Sequence, residues 1–376
     1  MLPLATLLSH TLVAWTIEVD NAFELRMPHR TTVRRQRGEA LRGPWLVSFP
    51  MYVHCLRHVT TNGITQGELE SRARVLGPVS GLERWGYVTV TPARRDGKRA
   101  SDPRAAIVRA TAAALESTRV WAGLPEEVDA RWQMRHGDAP LRELRDALIS
   151  VVAELDARLP DYLPGIYGFG GLRNVLPGDE GLPARWRSRT AVRSESAPDP
   201  DPSSLPLYAL LSKALLELTR EYEREASPSL AIGANLIRVL DGVGVPVAEL
   251  PRTTGVSKEA IAHSLSRQQG CVVVETAPGK RTRQARLTPR GLAAQQRHVG
   301  LISDIEQRWA TRFGRNVVRA LRSSLEAIVV TPELADSPLA DAYGPPPGTW
   351  RADRKTPDTL PHYPMVLHRG GYPDGA

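Results

Sequence analysis

Two short stretches hold the groups whose types and spacing could do chemistry. Ser257, Lys258, His263 and Arg267 lie within SKEAIAHSLSR, where the apolar residues Ile261 and Leu265 stand four apart. A helix over this stretch turns Ile261 and Leu265 toward a core and leaves the polar residues for a partner. Arg252 and Thr253 precede it at a turn containing Gly255, and Lys280, Arg281 and Arg283 follow it between two strand-like runs. Arginine and lysine suit phosphate, and an arginine also suits a narrow minor groove, while Ser, Lys and His side chains can meet base edges. Taken singly, each of these residues is an ordinary surface group. Their order along the chain points to recognition of a polyanion through a helix and a basic hairpin tip.

Bond-making chemistry is poorly supplied by comparison. His54 and His58 are i,i+4 with Cys55 between them, which is metal-ligand spacing, but no HExxH glutamate accompanies them and the cysteine points off their shared face. They read as satisfied helix histidines. Asp20 and Glu24 also stand i,i+4. Gly165, Gly168, Gly170 and Gly171 lack the preceding strand and the following Lys-Ser/Thr of a phosphate-binding loop. No Gly-x-Ser-x-Gly or dinucleotide fingerprint occurs. The expectation is a protein that is not an enzyme and holds no metal or cofactor.

The elements that must position these groups follow from periodicity. Residues 244–291 give a short helix and turn, a second helix capped at Ser257, two strands around the Lys280–Arg283 tip, and a further helix after Arg286–Gly291. Residues 64–99 repeat that order: a helix over Thr65–Arg72, another over about Leu76–Arg84, a cap at Gly86, a strand at Tyr87–Val90, and a hairpin tip of Arg94, Arg95, Asp96, Gly97, Lys98 and Arg99. Here Gly77 and Pro78 shorten the second helix, which offers Arg72, Arg74, Ser80 and Arg84 as polar surface. This copy is expected to hold the backbone more than to read bases, or to serve as a ligand or scaffolding half.

Leu4–Met27 is expected as an amphipathic helix, with Glu18, Asp20 and Glu24 interrupting its apolar run, and Trp45–Val59 as a second apolar helix. Leu207–Ala226 and Leu292–Val330 read as helical, with a break at Gly314. The segment HRTTVRRQRGEALRG at 29–43 is basic and reads either as a phosphate-touching loop or as a solvated face. Residues 128–148 align without a gap on 305–325: Arg131, Trp132, Arg135, Gly137, Arg142, Leu144, Arg145 and Leu148 match the residues 177 positions later. Eight identities in 21 positions imply two copies of one architecture. The division expected is 1–158 and 207–332 as the two units, 159–206 as a connector, and 333–376 as a loose Pro/Gly-rich tail, either free or draped over a domain.

Residues 244–291 resemble the winged helix of the MarR family of bacterial transcriptional regulators, most closely in GVSKEAIAHSLSRQQG and RLTPRG, and the likeness extends to IEQRWATRFG at 305–314. The likeness is clearest over 207–330 and weaker over 4–157. It implies a mainly α fold with small β-hairpin wings, here as two tandem winged helix-turn-helix domains joined through a helical core in a pseudo-two-fold arrangement. It further implies a sequence-specific double-stranded DNA-binding regulator, with recognition positions on Ser257–Arg267, a wing on Lys280–Arg283, and a small-molecule effector held between core and DNA-binding lobe. The chain departs from the family in carrying two copies and in lacking the Asp-x-Arg of the wing. Two copies in one chain suggest a monomer acting as an internal pseudo-dimer, with a homodimer as the alternative. The competing class is an architectural nucleic-acid binder or interaction scaffold without an operator.

Composition is consistent with these expectations. The 376 residues carry a formal net charge of +8, mostly as arginine, with lysine only at 98, 213, 258, 280 and 355. Cys55 and Cys271 are the only cysteines, the usage of a reducing compartment, and a cytoplasmic location is expected. No apolar run is long enough to span a bilayer. The aromatics Trp15, Phe23, Trp45, Tyr52, Tyr208 and Tyr222 suit either a core or a ligand pocket between core and lobe.

Overall fold

The computed structural model describes residues 2–27, 29, 44–74, 79–95, 98–99, 102–156, 159–163, 200–226, 229–230, 233–267, 270–276, 282–329, 337–342, 344, 347 and 359–364. The fold is mainly helical with small antiparallel sheets. The first half runs α1 (Leu4–Arg26), α2 (Phe49–His54), β1 (Ile64–Thr65), α3 (Gln66–Ala73), α4 (Val79–Arg84), β2 (Val88–Thr91), β3 (Arg94–Arg95), β4 (Lys98–Arg99), β5 (Ile107–Ala110), α5 (Ala112–Ala122), α6 (Leu124–His136) and α7 (Asp138–Val152). The second runs α8 (Leu207–Glu225), α9 (Gly233–Val239), β6 (Val245–Pro246), α10 (Leu250–Thr254), α11 (Lys258–Arg267), β7 (Val272–Thr276), β8 (Arg283–Leu287), α12 (Pro289–Arg312), α13 (Arg315–Ile328) and α14 (Pro338–Ala342).

Each half builds a three-stranded antiparallel sheet of the same order, β1-β5-β2 and β6-β8-β7. Val108 pairs with Ile64 on one side and Val90 on the other, and Ala285 pairs likewise with Val245 and Val274. The outer strands β1 and β6 are only two residues long, too short to leave a sequence pattern. Each sheet hands over to its next helix through the same cap. Thr111 accepts from Ala114 N and donates to the Gly86 and Tyr87 carbonyls; Thr288 accepts from Gly291 N and donates to those of Gly270 and Cys271.

The halves meet helix on helix. α1 packs on α8 and α7 on α13, while α1 also touches α13 and α8 touches α7. Exchanging the halves reproduces this pattern of packing. Gly137 and Gly314 turn α6 into α7 and α12 into α13, both at positive φ, 83° and 95°. Pro125 is why the first half has α5 and α6 where the second has the single helix α12. Its ring cannot sit in a helix interior, so α6 starts afresh after Gly123 with the proline in its first turn.

Four expectations need correction. α1 is not amphipathic: from Leu4 to Glu24 every residue is buried except Glu18 and Ala22. A helix covered on all sides is a central one, and its acids are met internally, with Asp20 accepting from Phe49 N at 2.7 Å. The helix expected over Trp45–Val59 is only Phe49–His54 plus one 3₁₀ turn at Leu56–His58, because Pro50 must occupy the first turn. The connector does not begin at Leu159: Leu159, Tyr162 and Leu163 are buried in the shared core. The tail is not loose where described, since α14 packs on α1 and Leu360 and Tyr363 are core residues. The basic segment 30–43 and the rest of the connector, 164–199, lie outside the described residues.

Candidate nucleic-acid interface

The second sheet carries α11 on a small core of its own. Leu236, Ile237, Leu250, Ala260, Ile261, Val272, Ala285 and Leu287 form a cluster separate from the main core, whereas the first sheet's apolar residues Ile64, Leu69, Val79, Leu82 and Val108 belong to the main one. Ala260, Ile261 and Ser264 are the buried face of α11, Leu265 is half-buried, and Lys258 and Ala262 are exposed. Ser257 caps the helix, accepting from Ala260 N at 3.2 Å, so its hydroxyl is partly committed to the backbone. The backbones of His263 and Arg267 fall on α11; their side chains lie outside the described part.

At the preceding turn Arg252 is exposed and paired with Glu249 at 2.9 Å, while Thr253 folds its hydroxyl back onto the Leu250 carbonyl at 3.2 Å. An exposed i,i+3 ion pair contributes at most ~1 kcal/mol, so exchanging Glu249 for a phosphate is inexpensive. Arg283 opens β8 and is exposed, opposite Thr276. Lys280 and Arg281 lie outside the described residues. Nearby, Arg286 is neutralised by Glu275.

In the first half Arg72 is paired with Glu68 at 2.6 Å, Ser80 is exposed, and Arg84 lies over the Trp85 ring at 5.6 Å. Arg74 sits at the end of α3 in the left-handed region, φ 59°, half-buried, and acts electrostatically on Asp161. β3 and β4 pair Arg94 with Arg99 and Arg95 with Lys98.

His54 and His58 both have partners within the chain. Leu163 O lies 2.9 Å from His54 Nε2, and Arg57 Nε donates to His58 Nε2 at 3.1 Å. Burial, the largest cause for each, pulls both imidazoles down to about 4. Burial likewise pushes the Cys55 thiol up to about 12. Among the described residues no group of three or more metal-ligating side chains comes together. Of the six aromatics singled out, Trp15, Phe23, Tyr208 and Tyr222 are core, Tyr52 is half-buried beside Trp121, and Trp45 is exposed.

Where α6 meets α1, and where α12 meets α8, the same polar set recurs. Trp132 Nε1 donates to Glu18 at 3.0 Å, with Arg131 and Arg135 on the same carboxylate at 3.7 and 2.6 Å. Trp309 Nε1 donates to Glu221 at 3.1 Å, with Arg308 and Arg312 at 3.7 and 3.9 Å. The arginines and tryptophans are the 177-residue repeat; their acid was missed. The signal existed at another offset: Leu4, Leu7, Leu8, Ser9, Leu12, Thr16 and Glu18 match the residues 203 positions later, Leu207 to Glu221. No helix among the described residues is long and apolar enough to cross a membrane. Comparison of the chain with protein-family models, curated proteins and solved structures found no match.

Proposed function

We propose that the chain is a sequence-specific double-stranded DNA-binding transcriptional regulator, a MarR-like tandem of winged helix-turn-helix units in which the shared helical core takes the place of a dimer interface. The observation that carries this reading is the exposed Lys258 on α11, opposite a buried Ala260–Ile261 face, a helix surface that suits base edges. The β3–β4 register places Arg94, Arg95, Lys98 and Arg99 on one hairpin, a basic set that suits phosphates. The six-residue α4 gives the first unit far less. The two heads are therefore unequal, with the second reading sequence and the first mainly gripping the backbone.

Binding measured against salt tests this. Replacing Arg94, Arg95, Lys98 and Arg99 together should weaken all DNA alike and lower the slope of log K against log salt by about one for each phosphate no longer held. Replacing Ser257, Lys258 and His263 should change sequence preference instead. Variants that leave both slope and preference unchanged would turn the assignment toward an interaction scaffold.

A further inference from the structure

Each half closes with a short strap of the same pattern. At an offset of 201, Leu159-Pro160-Asp161-Tyr162, after α7, matches Leu360-Pro361-His362-Tyr363, after α14. Neither strap is helix or strand, yet the leucine and tyrosine of both are buried. The residues that hold the two main chains repeat as well. Lys213 on α8 donates to Leu159 O, and His10, 203 positions earlier on α1, has Nε2 2.8 Å from Pro361 O. His54 Nε2 lies 2.9 Å from Leu163 O, and Asn235, 181 positions later, donates to Tyr363 O at 3.3 Å. Each strap is therefore fastened twice. One fastening is to its own half, at His54 or Asn235, and the other is to the long buried helix of the opposite half, at Lys213 or His10.

The fastenings bear on the two heads differently. Ile64, Leu69, Val79, Leu82 and Val108 of the first head are continuous with the main core, so apolar packing anchors that head. Leu236, Ile237, Leu250, Ile261 and Leu287 of the second form a core of their own. Helices α9 and α12 run from that small core into the main one, where Ala234 and Leu301 lie. The strap is a third connection. Leu360 and Tyr363 belong to the main core, while the strap backbone lies against Gly255, at the turn into α11, where a Cβ would come within 2.6 Å of Pro361 N. Asn235, only 1% accessible, also accepts from His362 N and Tyr363 N at 3.0 and 3.3 Å. Buried polar groups that lose their partners are costly, so the carboxamide and the strap hold each other in place.

We propose that the second strap is a latch that sets the position of the second head, with Asn235 and His10 as its positioning residues. Seated, it holds the turn below α11 against α1 of the opposite half. Released, it lets β6–β8, α10 and α11 move as a unit while the first head stays anchored. The latch itself is a matter of packing and hydrogen bonds. Only its consequence rests on the DNA-reading assignment: a seated strap fixes the distance between the two heads, and with it the spacing of the half-sites they accept.

Amide hydrogen exchange of the full chain without DNA tests the latch, for the natural sequence, Asn235→Ala and His54→Ala. Asn235→Ala should speed exchange in β7, β8 and α11 about tenfold or more and leave β2, β5 and α13 unchanged. His54→Ala, which loosens the first strap, should speed β2 and β5 no more than α13. If Asn235→Ala does not fold, Tyr363→Phe is the milder variant. It takes one hydroxyl from His298 Nε2, 3.5 Å away, and should speed the same amides by a smaller factor. Acceleration spread evenly over both heads and the core would mean a merely structural loss and overturn the proposal, as would unchanged exchange in β7, β8 and α11. The consequence is read on DNA fragments that the natural chain binds, lengthened base pair by base pair between their halves. Asn235→Ala should accept spacings that the natural chain rejects, and identical spacing ranges would overturn the positioning role. A chain that binds no DNA would sink the nucleic-acid reading and leave the exchange result standing.

Discussion

Replacing Gly255 by alanine probes the join between the strap and the base of α11. Gly255 adopts φ +71°, and a Cβ there would lie 2.6 Å from Pro361 N, 2.8 Å from Leu360 C and closer still to Thr359 O. The left-handed backbone alone costs a non-glycine residue roughly 1–2 kcal/mol. Three backbone atoms of the strap cannot swing aside as a side chain would, so the strap must lift and expose Leu360 and Tyr363, which are 7% and 2% accessible. Losing even part of two buried side chains, each contributing about 1.5–3 kcal/mol, brings the expected loss to about 3 kcal/mol or more. Urea unfolding followed by circular dichroism measures it.

A double-mutant cycle separates the two contributions. Asn235→Ala removes the acceptor for His362 N and Tyr363 N and loosens the strap beforehand. In that background Gly255→Ala should cost only the backbone share, about 1–2 kcal/mol, leaving a coupling of at least ~1 kcal/mol. An equal cost in both backgrounds would refute the idea that the strap is seated on this turn.

Two further outcomes follow from buried groups. His10 and His54 are fully buried and held down to about 4 by desolvation, the largest cause for each, against ~6.5 when unfolded. Between these values the unfolded chain binds more protons, so stability should fall as pH drops from about 6.5 to 4, by up to ~3 kcal/mol per histidine, and be complete above that window. Urea midpoints that stay flat from pH ~7.5 to ~4.5 would contradict it. Trp132→Phe and Trp309→Phe each remove one indole donor from a carboxylate, at 3.0 and 3.1 Å, and should each cost about 1.5–3 kcal/mol. Losses differing by more than that range would show that the two helical cores are not energetically equivalent.

How much of this was legible in the sequence depended on whether each segment satisfies its needs locally. The Arg131/Trp132/Arg135 repeat, the Gly314 break and the Ser257 cap are local patterns, and each falls where the spacing puts it. α1 misled because Asp20 and Glu24 look like a solvent face until Phe49 N and His29 are folded against them. The straps misled for a related reason. Residues 359–364 have no periodicity because Asn235, His10 and Ser9 bond their backbone in place of a neighbouring strand or turn. The LP-x-Y repeat was nevertheless readable at Leu159 and Leu360, and with it the change of Asp161 to His362.

In the candidate interface the residue types were legible, but the pairings were not. Arg72 and Arg252 look like free phosphate ligands in sequence, yet each has an acid one helical turn away. Arg74 is basic like the rest but stands half-buried at a left-handed helix end. Such distinctions depend on backbone geometry that composition does not carry.

The most direct test of two unequal DNA-reading heads in one chain is selection of bound fragments from genomic DNA, repeated at rising salt. The account predicts one recurring asymmetric site, with a sharply defined half assigned to α11 and a poorly defined half, retained as salt increases. Recovery of fragments with no shared sequence, or of a palindrome equally defined on both arms, would contradict it.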